Sequence, residues 1–240
     1  MRRIHIGTSG WSYAHWKDAF YPKGLKAKDR FRFYAERFDT TEINGSFYRL
    51  PTEAAVAAWA ESAPPGFIFA WKASRFITHN KKLKDAADSI DLVFGRMAGL
   101  GDHLGPALFQ LPPQLKLDPE RLARFLDLLP KRRRVSIEFR HPSWFAPEVL
   151  ALLRRRDVAL CISDHAAAPA PWEPTASFLY VRGHGPGGRY FGRYEARELE
   201  SWAKRIVEFD GDAYAYFDND IGCAAPADAE RLKQLAAERA

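Results

Sequence analysis

Short runs in which apolar and polar residues alternate are interleaved along the chain with longer runs whose apolar positions recur every third or fourth residue. The first period belongs to a β-strand with two unlike faces, the second to an amphipathic helix. The short runs predict strands at 3–8, 38–43, 67–72, 107–111, 158–163, 178–182 and 213–217, with one more at the head of 135–144. The long runs predict helices at 29–38, 52–62, 82–100, 147–156 and 227–239, one opening at Pro119 and one within 193–209. Thr52 and Asp118 stand where N-caps are needed, and Pro119 suits a first helical turn. The stretch 166–177 is too broken by proline for a helix, so the helix after the sixth strand is missing. Strand and helix alternate with no repeat, linker or low-complexity tract, which predicts an α/β fold: a TIM-type (β/α)8 barrel built as one domain, 1–240. An open doubly wound sheet would want a Gly-rich dinucleotide turn, and none is present.

The stretch VSIEFRHPSW, 135–144, organises the rest. Val135, Ile137 and Phe139 alternate with Ser136, Glu138 and Arg140, and Pro142 ends the strand. A carboxylate and a guanidinium thus share one face at the strand's carboxyl end. They are either an ion pair plugging the barrel or part of a site, and the other strands repeat the pattern. Their ends carry Glu42 and Asn44, Lys72, Gln110, Asp164, Arg182 and His184, and Asp218 and Asn219. In a barrel all of these meet at one mouth, where such folds put their chemistry. Ser9, Trp11 and Tyr13, after a Gly-Thr-Ser-Gly turn, are candidates to line it, as are His79, His141 and Trp144.

Lys72, Arg140 and Arg182 supply fixed positive charge suited to phosphate or carboxylate. Glu42, Glu138 and Asp164 are candidate acids and bases, and His184 a candidate proton shuttle. The Gly-rich segment 183–188 is expected to be flexible and to order over a ligand. No cofactor is expected. A divalent metal is not favoured, because clustered His and carboxylate spacing is missing and the cations would compete. Ser9 has no nucleophile motif around it, and Cys161 lies in an apolar strand.

Composition adds little to this picture. Of the 240 residues 28% are charged, with a formal net charge of +6. The basic runs are broken by acids and lie beside helices, so they read as solvated helix ends that would still help an anion approach. Two cysteines without metal spacing, no leader and no long apolar segment predict a cytoplasmic protein with no membrane partner.

GTSGWSY (7–13), FYP (20–22), EINGSFYRLP (42–51), Trp59, AWKAS (70–74), ITH (77–79), LFQLPP (108–113), EFRHPSW (138–144), ISDH (162–165), YVRGHG (180–185) and YFDND (216–220) together resemble the YecE-like family, catalogued as a domain of unknown function. The resemblance runs nearly end to end and implies a TIM-type barrel, but no settled reaction. Two departures stand out: Gly45 interrupts what is usually an Asn-Ser or Asn-Thr pair, and Asp218 stands in a usual Phe-Asn-Asn. On these residues the chain is expected to be an enzyme, hydrolase-like, acting on a small anionic substrate such as a phosphorylated one. The alternatives are a glycosidase-like barrel with Glu42 and Glu138 paired, and a nucleic-acid binding module without catalysis.

Overall fold

The computed structural model describes residues 2–239. Eight strands, β1 (Ile4–Thr8), β2 (Thr40–Ile43), β3 (Ile68–Lys72), β4 (Leu104–Gln110), β5 (Val135–Glu138), β6 (Ala159–Ser163), β7 (Phe178–Gly183) and β8 (Asp212–Phe217), form one parallel sheet in the order 1-8-7-6-5-4-3-2. The helices are α1 (Arg30–Ala35), α2 (Glu53–Ser62), α3 (Ala87–Met97), α4 (Pro119–Asp127), α5 (Pro147–Arg155), α6 (Ala196–Glu208) and α7 (Ala224–Ala237). No helix joins β6 to β7. The result is a nearly closed TIM-type barrel.

The seam between β1 and β2 is sealed by side chains rather than by a full ladder. Gly10 N–H donates to the Glu42 carbonyl (2.8 Å). The Tyr34 hydroxyl accepts from Thr8 N–H (2.9 Å) and donates to the Thr40 carbonyl (3.0 Å). Gly7 is required here: a Cβ would lie 2.3 Å from the Thr40 carbonyl oxygen.

Alternation decides which residues go where. Ile6, Phe69, Trp71, Phe109, Ile137 and Leu160 point outward and join the helices' apolar stripes in one large core. Ala70, Leu108, Cys161, Tyr180 and Tyr216 point inward and form a separate cluster inside the cylinder. One step further along each strand, the inward position is polar, which brings the strand-end residues together.

Two helices are shorter than their apolar patterns suggest. The first stops at Ala35 rather than 38. The third was expected over 82–100, but Lys82, Leu83 and Asp85 have left-handed backbone (φ 51°, 68° and 45°) and cannot be helical. Leu83 is buried all the same, its N–H donating to the Ile77 carbonyl (3.0 Å). A turn therefore satisfies an apolar position that periodicity alone assigns to a helix. Caps fall where expected: Thr52 accepts from Ala55 N–H (3.1 Å) and Asp118 from Arg121 N–H (2.9 Å).

Candidate functional site

Arg182, the last but one residue of β7, sits fully buried at the centre of the inward polar layer. Its two terminal nitrogens reach Glu138 (2.9 Å), Glu42 (2.8 Å) and Asp218 (3.0 Å), on β5, β2 and the end of β8. Glu42 also accepts from the Tyr180 hydroxyl (2.6 Å) and from Ser9 Oγ. Arg140, two residues beyond Glu138 on the same face, reaches the other Glu138 oxygen at 2.6 Å. His184 spans the remaining gap, with Nδ1 2.5 Å from Asp218 and Nε2 3.0 Å from Glu138.

The charges in this layer hold one another in place. Burial alone would raise the Glu138 carboxyl, but Arg140, Arg182 and His184 outweigh it and hold it well below the usual range. Burial also pushes Asp218 up, and His184 and Arg182 overcome it. Burial works to lower His184, yet Asp218 and Glu138 win and raise it. Both ring N–H groups are thereby committed to carboxylates. Three cations (Arg140, Arg182, His184) answer three carboxylates (Glu42, Glu138, Asp218), as buried charges require.

Above this layer lies a cavity of about 360 Å³, lined by Tyr13, Asn44, Phe47, Tyr48, Lys72, His79, Gln110, Arg140, Tyr190, Asp218 and Asp220. That volume fits a small metabolite. Lys72, the last residue of β3, is the exception to the balance below. It is 7% exposed and, among the described residues, has no carboxylate partner; its ammonium rests 4.3 Å from the centre of the Phe47 ring. Burial, with Arg182 adding to it, lowers its pKa to about 8. The same cause, with Lys72 next, lowers His79 to about 4, so that imidazole is neutral at physiological pH. Asn44 Oδ1 and Arg140 Nε are buried without a hydrogen-bond partner.

The cavity thus takes in seven of the expected site residues: Tyr13, Asn44, Lys72, His79, Gln110, Arg140 and Asp218. The four acid–base candidates lie elsewhere. Glu42, Glu138 and His184 are fully buried beneath the cavity, their polar atoms taken up by the network. Asp164 accepts from His184 N–H (2.7 Å) and from the Tyr194 hydroxyl, which fixes the loop after β7. Glu42 and Glu138 do not form an open pair, because the Arg182 guanidinium bridges them; a sugar has no room between them.

Other expected lining residues are structural. Ser9 and Arg182 belong to the buried network. Trp11 packs on Phe31, Trp59 and Phe69 on the outside of the strands. Trp144 is buried, stacked on Phe139, with its indole N–H donating to the Leu115 carbonyl (2.6 Å). His141 pairs with Ser143 (2.8 Å), and Asn219 with Asp228 (2.8 Å). Trp11, His141, Trp144 and Asn219 each follow a strand, but their side chains turn to the outward core or to neighbouring turns and helices.

The Gly-rich segment is packed rather than loose. His184 and Gly188 are buried, and a Cβ at Gly188 would lie 2.2 Å from the Asp164 carbonyl oxygen. Glycine serves here for close approach of two loops. That packing delivers Tyr190, a cavity residue not anticipated from sequence, whose hydroxyl accepts from Arg140. Phe47, Tyr48 and Asp220 also line the cavity without having been expected: Asp220 directly follows Asn219, and Phe47 and Tyr48 stand three and four residues beyond Asn44. Among the described residues no group of three His, Cys, Asp or Glu side chains is arranged to hold a metal, and no helix is long and apolar enough to cross a membrane.

Fold and site define a TIM-type barrel with a neutralised ion-pair layer under a small mouth lined by Lys72, Arg140, Asp218 and Asp220. Residues 5–240 match the model of the family described as "Protein of unknown function DUF72", and the chain belongs to that family. It is 25% identical to the UPF0759 protein YunF of Bacillus subtilis, over 97% of this chain and 94% of that protein. It is 31% identical to the UPF0759 protein YecE of Escherichia coli K12, over 69% of this chain and 62% of that protein. Among solved structures it is similar to a DUF72 family protein of Thermotoga maritima, with TM-score 0.89 and 25% identity over 98% of this chain and 99% of that one. A DUF72 family protein of Enterococcus faecalis superposes with TM-score 0.84 over 98% and 95% of the two chains.

Proposed function

We propose that the barrel mouth binds a small molecule bearing a carboxylate or phosphate group. The observation that carries this reading is Lys72, a buried cation left without a carboxylate while every other charge around it is paired. A buried, uncompensated ammonium is costly, and an anionic ligand would relieve that cost. Arg140 adds fixed charge on the same cavity, and Asn44 Oδ1 is an acceptor awaiting a donor. Hydrolysis by the glutamates gains no support, since neither carboxylate faces the cavity. The test is calorimetric titration with inorganic phosphate, glycerol 3-phosphate, lactate and neutral glycerol. Binding of an anion but not glycerol, weakened tenfold or more by Lys72→Met, supports the reading; equal affinity in the variant, or no anion bound, overturns it.

A second reading, a single nucleic-acid strand laid over the mouth, draws on Tyr48, Phe76 and Phe191. All three are exposed large aromatics on loops that follow β2, β3 and β7. Stacking on such rings contributes about 1–3 kcal/mol per base. Tyr48→Ala with Phe76→Ala should then abolish binding of an oligonucleotide, in a manner that weakens with salt. Unchanged binding in that double variant removes this reading.

A further inference from the structure

We infer that Lys72 is a nucleophile, forming an imine with an aldehyde or ketone that carries a carboxylate or phosphate. The inference rests on the reading of the mouth as an anion site and deepens it by naming the substrate class. Three features of its surroundings set Lys72 apart. It is the one buried lysine among the described residues; the others are exposed or partly exposed at the surface. Its side chain leaves the final residue of β3, and the Ser46 hydroxyl donating to its carbonyl (2.7 Å) fixes that strand end. And no carboxylate pairs with the ammonium: Glu138 and Glu42 act on it only from a distance, and burial outweighs them. A lysine desolvated beside other cations is the ordinary means of making an amine nucleophilic near neutral pH. With a pKa of about 8, roughly a tenth of Lys72 is free amine at pH 7.

The chemistry balances within the cavity. The ammonium gives a proton to solvent, and the nitrogen lone pair attacks the carbonyl carbon. The C=O π pair moves to oxygen, and as the nitrogen gives up a proton the oxygen takes one, which yields the neutral carbinolamine. That hydroxyl is protonated and leaves as water while the nitrogen lone pair forms the double bond to carbon. Overall, a protonated amine and a carbonyl give a protonated imine and one water. Tyr13, Tyr190 and Asp220 line the same cavity and can pass these protons, and Arg140 is placed to take the substrate's anionic group.

The experiment is borohydride trapping. The full chain is incubated with pyruvate or dihydroxyacetone phosphate, treated with sodium cyanoborohydride, and read by intact mass and peptide mapping. The expected result is one adduct, heavier by the mass of the probe less one oxygen atom, on the peptide holding Lys72. It should be lost in Lys72→Arg, and competition by lactate should reduce it. Mapping of the wild-type protein keeps the test valid should the variant fold poorly. An adduct spread over surface lysines, or one retained in Lys72→Arg, overturns the inference. So does the absence of adduct with either probe while lactate or phosphate still binds by calorimetry; that outcome leaves the anion site standing. No adduct and no anion binding sinks both.

Discussion

The buried polar layer and the cavity resting on it use the same residue types to opposite ends. In the layer, Arg182, Arg140 and His184 face Glu42, Glu138 and Asp218 across 2.5–3.0 Å, and the charges cancel. In the cavity, a few ångströms further toward the carboxyl ends, Lys72 has only a ring face for company. Saturation makes a rigid floor, and incompleteness makes a place for a ligand. Strand-end carboxylates in a barrel are therefore not in themselves evidence of acid–base chemistry; what matters is which of their lone pairs remain free.

Breaking the floor should have the largest effect. Arg182→Met takes one partner from Glu138 and Asp218 and leaves buried Glu42 with no cation, and should destabilise by roughly 3–5 kcal/mol or abolish folding, measured by urea unfolding. Lys72→Met should do the reverse. At neutral pH it removes an ammonium whose pKa the fold depresses, so stability should hold or rise, by up to about 2 kcal/mol. A fall of similar size in both variants would erase the distinction between the two regions.

Affinity for a non-titrating anion such as lactate should come next. Lys72 is charged below about pH 8 and neutral above it, so binding should be strongest below that value and fall as pH rises through it. Three of the groups lining the cavity add no competing step near that pH: His79 is already neutral, and burial raises the phenols of Tyr13 and Tyr190. Calorimetry from pH 6 to pH 10 checks this, with Lys72→Met expected to be flat.

Smaller effects sharpen the boundary. Tyr190→Phe removes the hydroxyl that accepts from Arg140 and should destabilise by about 1 kcal/mol while weakening anion binding a few-fold. Asp118→Ala, far from both regions, loses the α4 N-cap and should also cost about 1 kcal/mol, but with no change in affinity. Thermal unfolding and titration of the two variants together separate a cavity residue from a merely stabilising one.

The barrel is legible in the sequence because its elements are local. Two periodicities, the caps at Thr52 and Asp118, and the proline-broken stretch before β7 each act within a few residues. Errors arose where local pattern and tertiary demand diverge. Leu83 continues a helical stripe but is buried from a left-handed turn, and Trp144 follows a charged strand end yet fills the core behind Phe139.

The site divides the same way. Glu138 and Arg140 share a face because strand geometry places alternate residues together, and the order of polar and apolar residues settled that much. Whether those charges would be spent on one another or offered to a ligand depends on distances between β2, β3, β5, β7 and β8, segments up to 176 residues apart. Only closure of the barrel sets those distances. It puts Arg182 between Glu42 and Glu138, leaves Lys72 alone, and turns Tyr190 into a lining residue, because electrostatic pairing is decided by separation in space and by desolvation, neither of which is written in neighbouring residues.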